Sequence, residues 1–404
     1  MARRLSSCAL LLCLACWTVS AQAGSPPVVR TGAQLKAVVA SGQPTPLDAL
    51  TPFGKRAVLR SLHWSEDGQL VGIDFAVVER ELDARQLAAL LAFVGGEDLL
   101  PMLSRHLDGQ PVRLPDPSAD VEKRLESFRT LAREDTERRR TTSGGATPTG
   151  AAELQAHYTR LFGDRLNPSA LQRQPLGDLP LLFEAADTMN RYHSGTVLRD
   201  QLNIHRVLAS RGVTTQRWFD RQLFDALVTS RRFDEARVFA STRPALAGVS
   251  IPSVTDPLGP GFKGRSLYRY DSATNSLTRE AAPAPAGIQV VMVVQEGCQP
   301  SARALAALRE DAELQARLRK VNLLLVTIPS GSIPLHFIAR WNAANPTLPM
   351  RASYSVEEWK DVNPPGVPEF FVLKDGKPVS RLREGWPPEG NKAALMALLD
   401  AARD

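Results

Sequence analysis

Cys298 is the residue of this sequence best placed to do chemistry. In VVMVVQEGCQPSARAL, residues 290 to 305, an apolar run ends at this cysteine, and Pro300 and helix-forming residues follow. A thiol at the amino end of a helix meets free N–H groups and a partial positive charge. Both favour the thiolate, the form that attacks disulfides. Ser301, three residues on, is placed to donate a hydrogen bond to such a thiolate. A cysteine that follows an apolar strand can equally be a small, inert core residue, and the two readings stay open. The remaining candidates are weaker. His63, His106, His157, His193, His205 and His336 read as surface or helix-face residues with no metal or triad pattern. FGDRLNPS and GPGFKGRS combine glycine with basic residues, but neither joins a strand to a helix as a phosphate loop does.

The start of the chain decides what a lone thiol can mean. MARRLSSCALLLCLACWTVSAQAG carries two early arginines, an apolar stretch from Cys8 to Val19 and the small-residue site Ala21-Gln22-Ala23. Residues 1–23 therefore read as a secretory signal. A lipid attachment at Cys16 is the minority alternative, with Cys13 standing where such a signal has leucine. No later segment is apolar enough for stable membrane insertion, so the sequence predicts a soluble protein of a bacterial periplasm. Cleavage removes Cys8, Cys13 and Cys16, leaving Cys298 without an internal disulfide partner. Cysteine-cluster metal sites are excluded on the same count, and no metal or cofactor is expected. The net charge of +6 is spread among interleaved acids and bases. ERRRT, residues 137 to 141, reads as a solvated helix end, and nucleic-acid binding is not expected.

The elements that must position Cys298 can be read from spacing. Residues 24–140 read as a small α+β unit: a helix in GAQLKAVVASG, a hairpin about Glu66-Asp67-Gly68, a leucine-rich stretch broken at Gly95-Gly96, and a long charged helix. Val121, Leu125, Phe128 and Leu131 form a narrow stripe on that helix. TTSGGATPTG, residues 141–150, reads as a linker, and 151–262 as a helical domain in which one amphipathic pair splits at Ser230-Arg231. Residues 263–286 read as a hairpin and connector. From 287 to 404 the order is strand 288–294, helix 300–319, strand 321–328, an excursion, strands 370–373 and 379–382, and helix 392–402. That predicts an α/β sheet with helices on both faces.

This last third resembles the thioredoxin family. GVPEFFVLKDGK, residues 366 to 377, is similar to the family's segment in which a cis-proline precedes a strand, a turn and another strand. CQPS stands where the family has Cys-x-x-Cys, and REGW, residues 383 to 386, where it has a glycine before the last helix. The resemblance covers about residues 285 to 404. It implies a thioredoxin-like fold with a cis Val367–Pro368 bond beside Cys298. The implied roles are Cys298 as nucleophile, Ser301 as thiolate partner and Pro368 shaping a peptide groove, with Val367, Gly297 and Pro300 as binding residues. The departures bear on the chemistry. Ser301 replaces the resolving cysteine, Gly297 the usual aromatic, and Met292 falls where the family has a buried acid. The excursion between Pro329 and Pro365 is longer than the simple fold requires, and its Trp341 and Trp359 are expected to form a small core of their own.

Two functions follow. One is an exported monothiol protein, exchanging with or capturing cysteine-containing envelope proteins, whose mixed disulfide only an outside thiol resolves. The other is a non-catalytic scaffold that binds a protein partner in an envelope assembly.

Overall fold

The computed structural model describes residues 27–401 apart from 105–106, 108, 142–148, 191, 193–196, 330–332, 383–385 and 388–389, and apart from the side chains of 139–141 and 149. The expected signal and most of the expected linker lie outside the described residues. The amino-terminal region holds α1 (Gly32–Ala40), α2 (Pro52–Ser61), the strand pair β1 (His63–Trp64) and β2 (Leu70–Gly72), α3 (Phe75–Glu81), α4 (Ala84–Val94), α5 (Leu100–Leu103) and α6 (Ala119–Thr141). It continues with α7 (Thr149–Leu166), α8 (Pro168–Arg173), α9 (Asp178–Asn190), α10 (Leu198–Ser210), α11 (Phe219–Thr229) and α12 (Phe233–Ser241). Local chemistry sets several of these ends. Asp83 and Gln86 form a reciprocal cap at the start of α4, and Gly95, at φ 69°, ends it in the left-handed region that favours glycine.

The linker does not separate two cores. One continuous apolar cluster runs from Val29 to Leu246, and within it Phe128 of α6 packs against Tyr158 and Phe162 of α7 with ring centroids 5.8 Å apart in each case. Neither half closes its own apolar face. The helical stripe Val121, Leu125, Phe128 needs the helices beyond residue 150 to cover it, which corrects the division expected at 141–150. This lobe also buries charge. Arg129 reaches Glu184, Glu126 and Asp74, and Arg217 donates to the carbonyls of Glu79, Leu82, Leu107 and Gly109, so these guanidiniums have partners inside.

The carboxy-terminal lobe is built on one mixed sheet. Its elements are β3 (Ser253–Thr255), β4 (Ser266–Asp271), β5 (Ser276–Ala281), β6 (Ile288–Val294), α13 (Gln299–Glu310), α14 (Ala312–Lys320), β7 (Leu324–Thr327), α15 (Leu335–Ala344), β8 (Met350–Ser353), β9 (Glu369–Lys374), β10 (Lys377–Leu382) and α16 (Lys392–Ala401). The strand order is β10-β9-β6-β7-β8-β4-β5-β3. β6, β7 and β8 are parallel, while β9 and β10 return antiparallel on one side and the β4–β5 hairpin extends the sheet on the other. The hairpin expected as a connector is thus part of the sheet. The single helix expected over 300–319 is two, because Asp311 ends α13 and accepts from the Leu314 amide as the cap of α14.

The helices lie on one face, not both. Val290, Met292, Val294, Leu325, Met350, Phe370 and Val372 point to a cluster shared with Leu305 and Leu308 of α13, Leu318 of α14, Ile338 of α15 and Leu395 of α16. The steps from β6 to β7 and from β7 to β8 run in the same direction along the sheet, so right-handed crossovers put their helices on the same side. The return from β8 to β9 crosses the opposite face with only a short 3-10 turn, Lys360–Val362. Trp359 and Val362 cover Val291, Val293, Val326 and Phe371 there. The excursion therefore supplies the helix α15, one strand and the lid of the second face, and Trp359 belongs to the core of the sheet.

The two lobes meet at the turn between α11 and α12. Arg231, held at φ 61°, donates to the carbonyls of Ser353, at 2.9 Å, and Tyr354. Phe233 meets Tyr268 edge to face at 5.9 Å. Among the described residues no helix is long and apolar enough to cross a membrane.

Candidate functional site

β6 carries the site. Its six residues from Gln289 to Val294 are buried, Val291 to Val294 pair with β7, and Ile288 to Val293 pair with β9, so the end of this strand is among the most constrained points of the sheet. Beyond it Gln295, Glu296 and Gly297 form an exposed turn. Gly297 sits at φ 76° with open space around it. Any side chain at that position would be strained by its backbone rather than by its neighbours.

Cys298 is the cap of α13, in extended backbone, and is half-buried. Its Sγ–H donates to the carbonyl oxygen of Val367 at 3.3 Å, across a sequence separation of 69 residues. The Val367–Pro368 peptide bond is cis, and Pro368, buried, leads directly into β9. Cys298, Val367 and Pro368 are thus brought together. Pro300, half-buried, lies in the first turn of α13, where a missing N–H costs nothing because no helical acceptor exists for it.

Ser301 is placed differently from the sequence expectation. It is fully buried, and its hydroxyl oxygen accepts from the Gln295 amide at 3.4 Å, tying the exposed turn to the helix. Among the described hydrogen bonds it makes none to Cys298, so the role of thiolate partner is not supported by the geometry. The charges beside the thiol are also engaged elsewhere. Glu296 faces Arg340 of α15 at 3.8 Å, and Arg303 donates to the Trp386 carbonyl at 2.8 Å. Met292 is buried on the helix-covered face, opposite Phe370. Of the REGW segment, residues 383–385 lie outside the described residues, while Trp386 is buried against Phe370.

Sequence reasoning missed one buried ionic pair close to this place. Glu369, the residue after Pro368, is bound by Arg381 of β10 at 3.0 Å, with both side chains almost completely buried. Within EFFV an acid next to aromatics is the cue that could have flagged it, since a buried carboxylate requires a partner. Among the described residues no group of three or more His, Cys, Asp or Glu side chains is arranged to hold a metal ion.

No family model matches this chain, and no curated protein matches it. Among solved structures, the C-terminal domain of an uncharacterised Bacteroides fragilis protein is 16% identical and aligns over 36% of this chain and 96% of its own, with a TM-score of 0.22. A thioredoxin-like protein from Bacteroides caccae is 13% identical over 61% of this chain and 84% of its own, with a TM-score of 0.23. Likenesses at these scores carry no argument for this chain.

Proposed function

We propose that this chain is an exported thioredoxin-like protein whose Cys298 forms a single mixed disulfide with cysteine-containing proteins of the bacterial envelope. The reading rests on one observation: the Cys298 Sγ stands at the head of α13 and meets the Val367 carbonyl next to Pro368. An extended client chain lying along the Val367–Pro368 segment would bring its disulfide to that sulfur. The Cys298 thiolate, having lost its proton to solvent, attacks one client sulfur. The client S–S bond breaks, and the second client sulfur leaves as a thiolate that takes up a proton. The chain holds no resolving cysteine once residues 1–23 are removed, so a second, external thiol must attack the mixed disulfide and release Cys298. Placement in the periplasm rests on the leader alone.

A second reading has its own observation. The Cys298 Sγ–H is engaged with the Val367 carbonyl, and Ser301 offers the sulfur no donor. That favours a scaffold in which the same groove binds a partner without exchange. The purified chain and its Cys298→Ser variant, mixed with a glutathione-based mixed disulfide at neutral pH and followed by intact mass, separate the two. Glutathionylation at Cys298 faster than that of free cysteine supports exchange. A rate at or below that of free cysteine leaves the scaffold.

A further inference from the structure

The opposite end of the parallel strands from Cys298 carries a cavity. It lies where α14 turns through Asn322 into β7 and where the loop after α15 returns to β8, and its volume is about 170 Å³. A cavity on the order of 150 Å³ holds one benzene ring. Leu308 and Leu318 are buried beneath it, and Leu323 and Leu348 flank it half-buried. Trp341 forms a wall that cannot swing away. Its indole Nε1 donates to the Leu348 carbonyl at 2.8 Å, and the Asn345 amide binds the Trp341 carbonyl at 2.9 Å.

The rim is polar and carries a single charge. Gln315, Asn322, Asn345 and Thr347 are neutral, and Arg319 is the only ionised side chain on the lining. Neighbouring arginines are satisfied: Arg309 pairs with Glu310 and Arg317 with Asp400. Arg319 is exposed and, among the described residues, makes no ion pair. One cation at the mouth of an apolar, ring-sized hole matches a monoanion with an apolar body. A dianion fits less well, because the mouth lies at the carboxyl end of α14, whose dipole opposes negative charge.

We propose that this cavity binds small monocarboxylates with an aromatic or branched apolar body, the body against Trp341 and the leucines and the carboxylate at Arg319. The site is separate from Cys298 and does not depend on any thiol chemistry. With about ten heavy atoms the affinity is modest, a Kd on the order of 0.1–1 mM.

Phenylacetate titrated into the purified full-length chain, with heat and ligand-observed magnetic resonance as readouts, tests the proposal, with phenylacetamide as the neutral control. Saturable binding that prefers the acid is expected. Arg319→Gln, an exposed substitution that leaves the core untouched, should weaken phenylacetate about fivefold and erase its advantage over the amide. Leu323→Trp should fill the cavity and remove both. An absence of saturable binding by the native chain overturns the site. Binding that survives Leu323→Trp in a protein of unchanged circular dichroism places the ligand elsewhere, and an affinity unchanged by Arg319→Gln overturns the carboxylate class.

Discussion

Replacing Glu79 by Gln isolates one buried carboxyl of the amino-terminal lobe. Glu79 lies in α3 at 7% exposure, and burial lifts its carboxyl from the ordinary 4.5 to about 7. Arg217 and Arg221 oppose that rise, and the like charge of Asp225 adds to it. Between pH 4.5 and 7 the folded state keeps this proton while the unfolded chain gives it up. The folded state therefore binds more protons across that window, and stability contributed by the group is lost as pH rises through it. At about 1.36 kcal/mol for each tenfold change in proton affinity, the rise from 4.5 to about 7 corresponds to roughly 3 kcal/mol, an upper figure because water can relax the site.

Glutamine has nearly the same shape and no proton to lose. Urea unfolding at pH 3.5 should find the native chain and Glu79→Gln alike, since Glu79 is then largely neutral in the folded and the unfolded chain. At pH 8 the variant should be the more stable by up to about 3 kcal/mol. Asp225, also lifted to about 7 by burial, remains in both proteins, so the difference between them reports Glu79 together with its repulsion by Asp225. A variant less stable than the native chain at pH 8 would show that Arg217 holds an ionised Glu79, and a difference independent of pH would show that Glu79 does not titrate in this range.

Other outcomes can be checked on the same material. Arg231→Met strips donors from the Ser353 and Tyr354 carbonyls between the lobes and should cost about 2–4 kcal/mol, read as a lower urea midpoint for the carboxy-terminal lobe. Trp359→Ala uncovers the face of the sheet that lacks helices and loses the bond from its Nε1 to the Ser266 carbonyl, and should cost about 3–5 kcal/mol by thermal or urea unfolding. Ser301→Ala removes the acceptor of the Gln295 amide, costing about 1 kcal/mol, and should leave the alkylation rate of Cys298 within twofold of native, about 0.4 kcal/mol in barrier. A protease site inserted within residues 142–148 should yield fragments that stay together on a sizing column, because both contribute to one core.

Where the sequence was legible, a local signal agreed with the tertiary role. VVMVV reads as a strand buried on both faces, and β6 lies between β7 and β9. The stripe Val121, Leu125, Phe128 reads as a helix face, and it packs on α7. What escaped reading depended on distant partners. β8 is only Met350–Ser353, too short for alternation to stand out, and its place is set by β7 and by the β4–β5 hairpin. The linker composition at 141–150 is real, but a flexible composition says nothing about whether the flanking helices share a core. The break inside the expected helix 300–319 turns on one side chain, Asp311, which accepts from the Leu314 amide and caps α14.

The candidate site divides in the same way. Cys298 at a strand end, before a proline and a helix, was readable because strand, turn and helix are consecutive. Its meeting with Val367 was reached only through resemblance, since the two are 69 positions apart. Ser301 shows the limit of spacing as a guide. A residue three positions into a helix can face the cap or face the core, and here the hydroxyl turns inward to the Gln295 amide and is fully buried. The sulfur therefore stands at the head of α13 with one described hydrogen-bond partner, the Val367 carbonyl. A client strand that takes that carbonyl as its own hydrogen-bond acceptor would displace the Sγ–H from it. Under the exchange proposed for Cys298, a client chain and the Sγ–H therefore compete for one acceptor.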